Sequence, residues 1–184
     1  MKHIIKPGII LFLIAAVITA LLGFVRSLTL EPIENNKQKA KQAAMAAVIP
    51  AASNFIEYKG PYSGMIISIC EAYSGTESLG YAVELATEGY SGKINLILGI
   101  SKAENKITGM RVTKHSETPG LGALAVKENF YKKFDNKNAV KLNVVRNSPG
   151  ENDIEAITGA TITTKAITDA VNEAIKWYNG VTRQ

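Results

Sequence analysis

The sequence holds a single cysteine, Cys70, so no disulfide can form within the chain. Cys70 ends the apolar run Met65-Ile-Ile-Ser-Ile-Cys70 and reads as a buried strand residue, not as a ligand or nucleophile. There are two histidines, His3 and His115, and no grouping with metal-ligand spacing, so no metal site is expected. The cysteine set that an iron–sulfur cluster needs is missing. So is the G-x-x-x-x-G-K-[ST] frame of a P-loop. The net charge is +5, yet acidic and basic residues are mixed along most of the chain. No basic run carries interleaved aromatics, so nucleic acid is not an expected partner. Internal repeats and low-complexity segments are also missing.

What the sequence does have is one long apolar run near its start. Gly8–Val25, GIILFLIAAVITALLGFV, carries no charge. At about 1.5 Å per residue it spans roughly 27 Å as a helix, close to the thickness of a bilayer's hydrocarbon core. Pro7 suits the first turn of that helix. A cleaved signal peptide, with Lys2 and Lys6 as its charged end, is the alternative. The length of the run and the lack of a following A-x-A site favour an uncleaved anchor. Basic residues flank both ends, Lys2 and Lys6 before it and Arg26, Lys37, Lys39 and Lys41 after it, so charge alone does not orient the span.

The remainder reads as an α+β domain on an antiparallel sheet with flanking helices. Residues 1–30 form the anchor, 31–59 a helical linker and 60–184 the domain. Ile33–Ile49, between Pro32 and Pro50, reads as a solvated spacer helix. Met65–Glu71, Leu79–Thr87, Lys93–Ser101 and Ile107–Lys114 read as strands, with Leu142–Arg146 a candidate fifth. A helix is expected over about Ala123–Phe134 and another over Thr163–Tyr178. In the last, Ile167, Val171, Ile175 and Tyr178 share one face, and Asn179-Gly180 supplies a stop.

The stretch with the most chemistry is EAITGATITTKAITDAV, from Glu155 to Val171. Thr158-Gly159-Ala160-Thr161 opens the last helix. A helix start presents unpaired N–H groups and partial positive charge, which favour a phosphate. Gly159 and Ala160 allow close backbone approach, and Thr158, Thr161, Thr163 and Thr164 add hydroxyls. The same residues also suit ordinary helix capping, so residue types alone leave both readings open.

Thr158-Gly159-Ala160-Thr161 resembles the [ST]-G-A-T flavinylation motif of the FMN-binding domain family. His115-Ser-Glu-Thr-Pro-Gly-Leu-Gly122 resembles that family's E-T-P-G-L-G loop, and Gly89-Tyr90-Ser91-Gly92 its glycine–tyrosine–glycine turn. With the short anchor, the order of these pieces is similar to RnfG, the FMN-binding subunit family of Rnf complexes, which are ion-translocating ferredoxin:NAD oxidoreductases. NqrC, of the sodium-translocating NADH:quinone oxidoreductases, is a longer relative with the same motif.

The resemblance implies FMN held covalently by a phosphoester to Thr161. It implies Thr158, Gly159, Ala160 and Thr163 around the phosphate, and Glu117, Thr118, Gly120 and Leu121 against the flavin. It implies loading by a flavin transferase, other subunits of a membrane redox complex as partners, and a single-pass protein with its domain on the extracytoplasmic side. No residue is expected to be catalytic in the chain alone. Pro119 would stiffen the loop, Gly120 and Gly122 would supply unusual torsions, and Leu121 would cover the ring. His115 reads as structural rather than as a proton donor, and Lys114 and Lys165 as solvated. Glu155 occupies a slot where the family often has Asp, with Asp153 two residues out of register. Rival readings are the related NqrC, a flavinylated domain of another reductase, and an anchored binding module without cofactor.

Overall fold

Alternating apolar stretches arrange the middle of the chain as a meander. β1 (Asn54–Glu57), β2 (Ile66–Ser74), β3 (Glu77–Glu88), β4 (Lys93–Ser101) and β5 (Lys106–Lys114) pair antiparallel, each with its neighbour in chain order. These come from a computed structural model that describes residues 2–182. The side chains of Lys2 and His3, read above as a charge and a histidine ahead of the span, lie outside the described residues. The chain divides into two compact units, Met1–Ala40 and Lys41–Gln184.

The first unit is helical from Lys2 onward. α1 (Lys2–Val48) begins before Pro7 and continues through Pro32, where a helix start was expected. Its large apolar side chains from Ile9 to Ile33 are exposed. Within α1 lies an apolar window of mean hydropathy 2.8, none of it buried. By length and composition this is a helix able to cross a membrane.

In the second unit both faces of the sheet are covered, and successive side chains divide between them. Tyr81, Val83, Leu85, Leu96, Leu98 and Ile100 face the main core, while Ala82 and Ile97 face a smaller one. Two-sided burial explains why β4 reads as a nearly unbroken apolar run. Leu96, Leu98, Ile100 and Ile107 are wholly buried, each contributing roughly 1.5–3 kcal/mol. α3 (Thr161–Thr182) covers the main face with Ile167, Val171, Ile175 and Tyr178, the stripe expected from their spacing.

The smaller core holds the end of α1. Ala44, Met45, Val48 and Ile49 are buried there against Ala72, Ala82 and Ile97, so this part of the expected spacer is packed, not solvated. Gly99 and Gly109 face each other across β4 and β5 and make room for it. A Cβ on Gly99 would lie 2.7 Å from the Val48 carbonyl oxygen. Lys41 Nζ donates to Glu84 Oε2 at 2.6 Å and to Ser68 Oγ at 2.8 Å.

Other expectations change in detail. The compact unit takes in Lys41 onward and includes β1, a strand with three exposed residues out of four that pattern reading placed in the linker. The helix expected over 123–134 is broken into a 3-10 turn (Gly122–Val126), α2 (Glu128–Tyr131) and a second 3-10 turn (Lys132–Phe134). Lys127 is extended (φ −83°, ψ 149°), which resets the phase so that Ala125, Phe130 and Phe134 are all buried. Leu142–Arg146 does not add to the sheet. Within it β6 (Asn143–Val145) pairs in parallel with β7 (Asp153–Glu155). α3 runs past Asn179-Gly180 to Thr182, and Asn179 Nδ2 donates to the Ala139 carbonyl at 3.0 Å. Cys70 is half-buried in β2, and burial pushes its thiol pKa up against the opposing pull of Lys41.

The seat of α1 yields a test. Gly99→Ala must displace a backbone carbonyl that has no rotamer to escape into, at a cost of about 1–3 kcal/mol. Thermal unfolding of the detergent-solubilised chain, followed by circular dichroism, should show a lowered midpoint. An unchanged midpoint would mean that Val48 does not rest on the glycine pair.

Candidate functional site

Three turns converge on one buried carboxylate. Glu117, in the loop after β5, is 6% exposed. Its Oε1 accepts the Ser91 backbone N–H at 2.9 Å, from the turn between β3 and β4. Its Oε2 accepts the Thr163 hydroxyl at 2.5 Å, from the first turn of α3. Burying a carboxylate is unfavourable unless hydrogen bonds replace its water, and these two donors do so. Gly89 and Gly122 flank it so closely that a Cβ on either would collide with the carboxylate oxygens. Gly122 is therefore required for space, whereas Gly120, at φ +79°, supplies the torsion expected of it. The Glu117 N–H donates to His115 Nδ1 at 3.2 Å, which gives His115 a structural task.

The threonines at the start of α3 divide into two groups. Thr163, Thr164 and Thr168 are buried and committed. The Thr164 hydroxyl donates to the Ala160 carbonyl at 3.0 Å and accepts the Ile157 N–H at 3.1 Å, closing the turn. The Thr168 hydroxyl donates to the Thr164 carbonyl at 2.9 Å. Thr158 and Thr161 are exposed, and their hydroxyls have no hydrogen-bond partner among the described residues. Neither caps the helix. The backbone N–H groups of Thr161, Ile162 and Thr163 likewise meet no acceptor among the described residues. Gly159 turns the chain at φ +77°, and a Cβ there would lie 3.0 Å from Leu121 Cδ2. Unpaired N–H groups at the start of a 22-residue helix are suited to an anion.

Between these turns lies a cleft of about 440 Å³, within the size range of small-molecule sites. Glu117, Thr118, Leu121, Gly159, Ala160, Thr161 and Thr163 all line it, so residues more than forty positions apart in the sequence share one wall. Thr158 and Gly120 lie in the same turns but do not line it. Lys114 and Lys165 are exposed and do not line it either. Tyr90, 73% exposed and part of the glycine–tyrosine–glycine turn, also lines it, as does Ile162, 58% exposed, which was not singled out from the sequence. Ile162 had a signal, since it is an apolar residue off the buried stripe of α3. Together with Leu121 they give the cleft an apolar rim beside its polar end. Ser91 Oγ and Thr118 Oγ1 lie 3.3 Å apart at the same edge. Glu155 is not free: its carboxylate is 2.8 Å from Lys133 Nζ, which also reaches the Glu155 carbonyl. Asp153 accepts the Gly150 N–H at 3.0 Å.

An open helix start beside an apolar rim suits a ligand with a phosphate and a flat ring system. Comparison with known proteins agrees. Residues 89–176 match the FMN-binding domain family, and residues 1–48 match the RnfG N-terminal region. The G subunit of the Na(+)-translocating ferredoxin:NAD(+) oxidoreductase complex of Acetobacterium woodii is 35% identical over 198 residues, covering 99% of this chain and 95% of its own. The chain belongs to the RnfG family.

A second member, the G subunit of the ion-translocating oxidoreductase complex of Methanosarcina acetivorans, is 32% identical over 187 residues, covering 97% of this chain and 96% of its own. The fold is shared more widely. The crystal structure of the C subunit of the Na(+)-translocating NADH-quinone reductase from Parabacteroides distasonis superposes with a TM-score of 0.64 at 16% identity, over 84% of this chain and 98% of that one. In this RnfG family member all three turns that meet at Glu117 fall inside the FMN-binding domain match.

Thr163→Val keeps the shape of the side chain and removes the donor to Glu117 Oε2. A buried carboxylate left with one donor is destabilising by roughly 1–3 kcal/mol. The thermal midpoint of the purified chain should fall, and an unaltered midpoint would show that this hydrogen bond does not hold the three turns together.

Proposed function

We propose that the chain is the flavin-carrying, electron-transfer subunit of a membrane-bound, Rnf-type ion-translocating ferredoxin:NAD oxidoreductase, with FMN joined by a phosphoester to the Thr161 hydroxyl. The observation that carries this reading is the unpaired Thr161 hydroxyl lining the cleft beside the open N–H groups of α3. A capping threonine would have its hydroxyl turned back onto those N–H groups.

The residues fit the group. The N–H groups of Thr161, Ile162 and Thr163 would hold the phosphate, favoured at a helix start by roughly 0.3–1 kcal/mol. Tyr90, Leu121 and Ile162 would bury the apolar part of the ring. Thr118 would meet its polar edge. FMN exchanges one or two electrons and so links carriers of both kinds. The electrostatic contribution at the helix start is too small to retain a cofactor where free flavin is scarce, and a covalent tether removes that problem.

Attachment proceeds from FAD with a flavin transferase. The Thr161 Oγ–P bond forms, the pyrophosphate P–O bond breaks, and AMP leaves with the hydroxyl proton. α1 anchors the protein, the flavin domain lies on the extracytoplasmic side, and the other subunits of the complex are its electron partners. Sequence relatives along nearly the whole chain favour RnfG over NqrC, whose likeness is one of fold.

Thr161→Ala tests the attachment site. Produced in cells that contain the transferase, the variant should show no flavin fluorescence on a denaturing gel, while its circular dichroism melt matches the parent. Retained fluorescence would move the ester to another residue, Thr158 being the other exposed hydroxyl in that turn.

A further inference from the structure

We propose that Glu117 is a fixed negative charge that lowers the reduction potential of the bound flavin. This rests on the reading above and adds to it a role that hydrogen bonding alone does not explain.

Glu117 is 6% exposed and lines the cleft. Both of its partners are neutral donors, the Ser91 N–H and the Thr163 hydroxyl. No lysine or arginine forms an ion pair with it among the described residues. The other buried polar side chains, Thr163, Thr164 and Thr168, are neutral. Several carboxylates elsewhere in the unit differ in this. Glu84, Glu71, Glu128 and Glu155 each have a lysine partner. Glu117 is thus a buried carboxylate at a ligand cleft with no basic side chain paired to it among the described residues.

A glutamine would serve the packing nearly as well. Its carbonyl would accept the Ser91 N–H, and its amide would meet the Thr163 hydroxyl, which can accept as well as donate. The space between Gly89 and Gly122 is that of a flat, branched terminal group, and an amide has the same shape. What a carboxylate has and an amide lacks is the charge. In a site of low dielectric, a unit charge a few Å from a second group is worth a tenfold or larger shift in an equilibrium that changes the second group's charge. Adding electrons to a bound flavin makes it more negative, so a neighbouring carboxylate opposes its reduction. The first turn of α3, with its positive partial charge, acts at the same wall, and Glu117 counters it through Thr163. Glu117 is therefore a positioning residue for the three turns and, through its charge, a determinant of the potential at which the flavin accepts electrons.

The experiment uses the full-length chain, made together with the transferase and purified in detergent. Denatured mass comes first and must show the parent loaded with FMN; an unloaded parent would remove the proposed function itself and this inference with it. Potentiometric titration then compares the loaded parent with Glu117→Gln and Glu117→Asp, read by the flavin absorption. In a redox buffer that half-reduces the parent, Glu117→Gln should raise the ratio of reduced to oxidised flavin on the order of tenfold. Glu117→Asp keeps the charge with a shorter reach and should remain close to the parent. No shift in Glu117→Gln, or an equal shift in both variants, would overturn the proposal, because a loss of packing and not of charge would then be at work. A Glu117→Gln chain that is folded but takes up no FMN would also overturn it, making Glu117 a determinant of loading.

Discussion

The cleft depends on one buried carboxylate. Glu117 ties the β3–β4 turn through the Ser91 N–H and the start of α3 through the Thr163 hydroxyl, and its own loop forms the third side. Those three segments share no secondary structure. Loops of this kind are mobile unless something fixes them. A charged group is suited to the task because burial without partners is so unfavourable that both donors must stay in place. The glycines on either side belong to the same device: Gly89 and Gly122 leave room for the carboxylate that any Cβ would fill.

The rest of the unit gives that device a rigid base. β3 and β4 are covered on both faces, so the turn they carry projects from a sheet that cannot bend without opening a core. α3 is fixed along its length by Ile167, Val171, Ile175 and Tyr178, which holds its first turn in register with the loop. The threonines of that turn then act in two ways. Thr163 and Thr164 are spent on structure, and this leaves the Thr161 hydroxyl and three N–H groups open toward the cleft. A helix start without a cap is destabilised locally, which is what a site reserved for an anion requires.

Much of this was legible in the sequence. Apolar alternation located β2 to β5, and helical spacing located the buried stripe of α3. The motifs around Glu117 and Thr158–Thr161 marked segments that the fold does bring together. What was not legible has physical causes. β1 and β7 are too short for a periodicity to announce them, and the candidate strand Leu142–Arg146 holds β6 but nothing in its pattern says that it pairs with β7 and not with the sheet. The break at Lys127 follows from the need to bury Phe130 and Phe134, a tertiary demand that local propensity does not carry. Ala44, Met45, Val48 and Ile49 looked like part of a spacer because their partners, Ala72, Ala82, Ile97, Gly99 and Gly109, lie in strands further along the chain. The capping and phosphate readings of the threonine turn are separated only by where each hydroxyl points. That is a property of coordinates, not of residue types.

The central claim is that Thr161 carries FMN. The most direct test is the intact mass of the denatured, full-length chain extracted from membranes of cells that hold its own flavin transferase, followed by peptide mapping. The account predicts a mass increased by FMN less one water, with the addition on the peptide containing Thr161. An unmodified mass from such cells would contradict it and leave the cleft as a site for a ligand that is not covalently held.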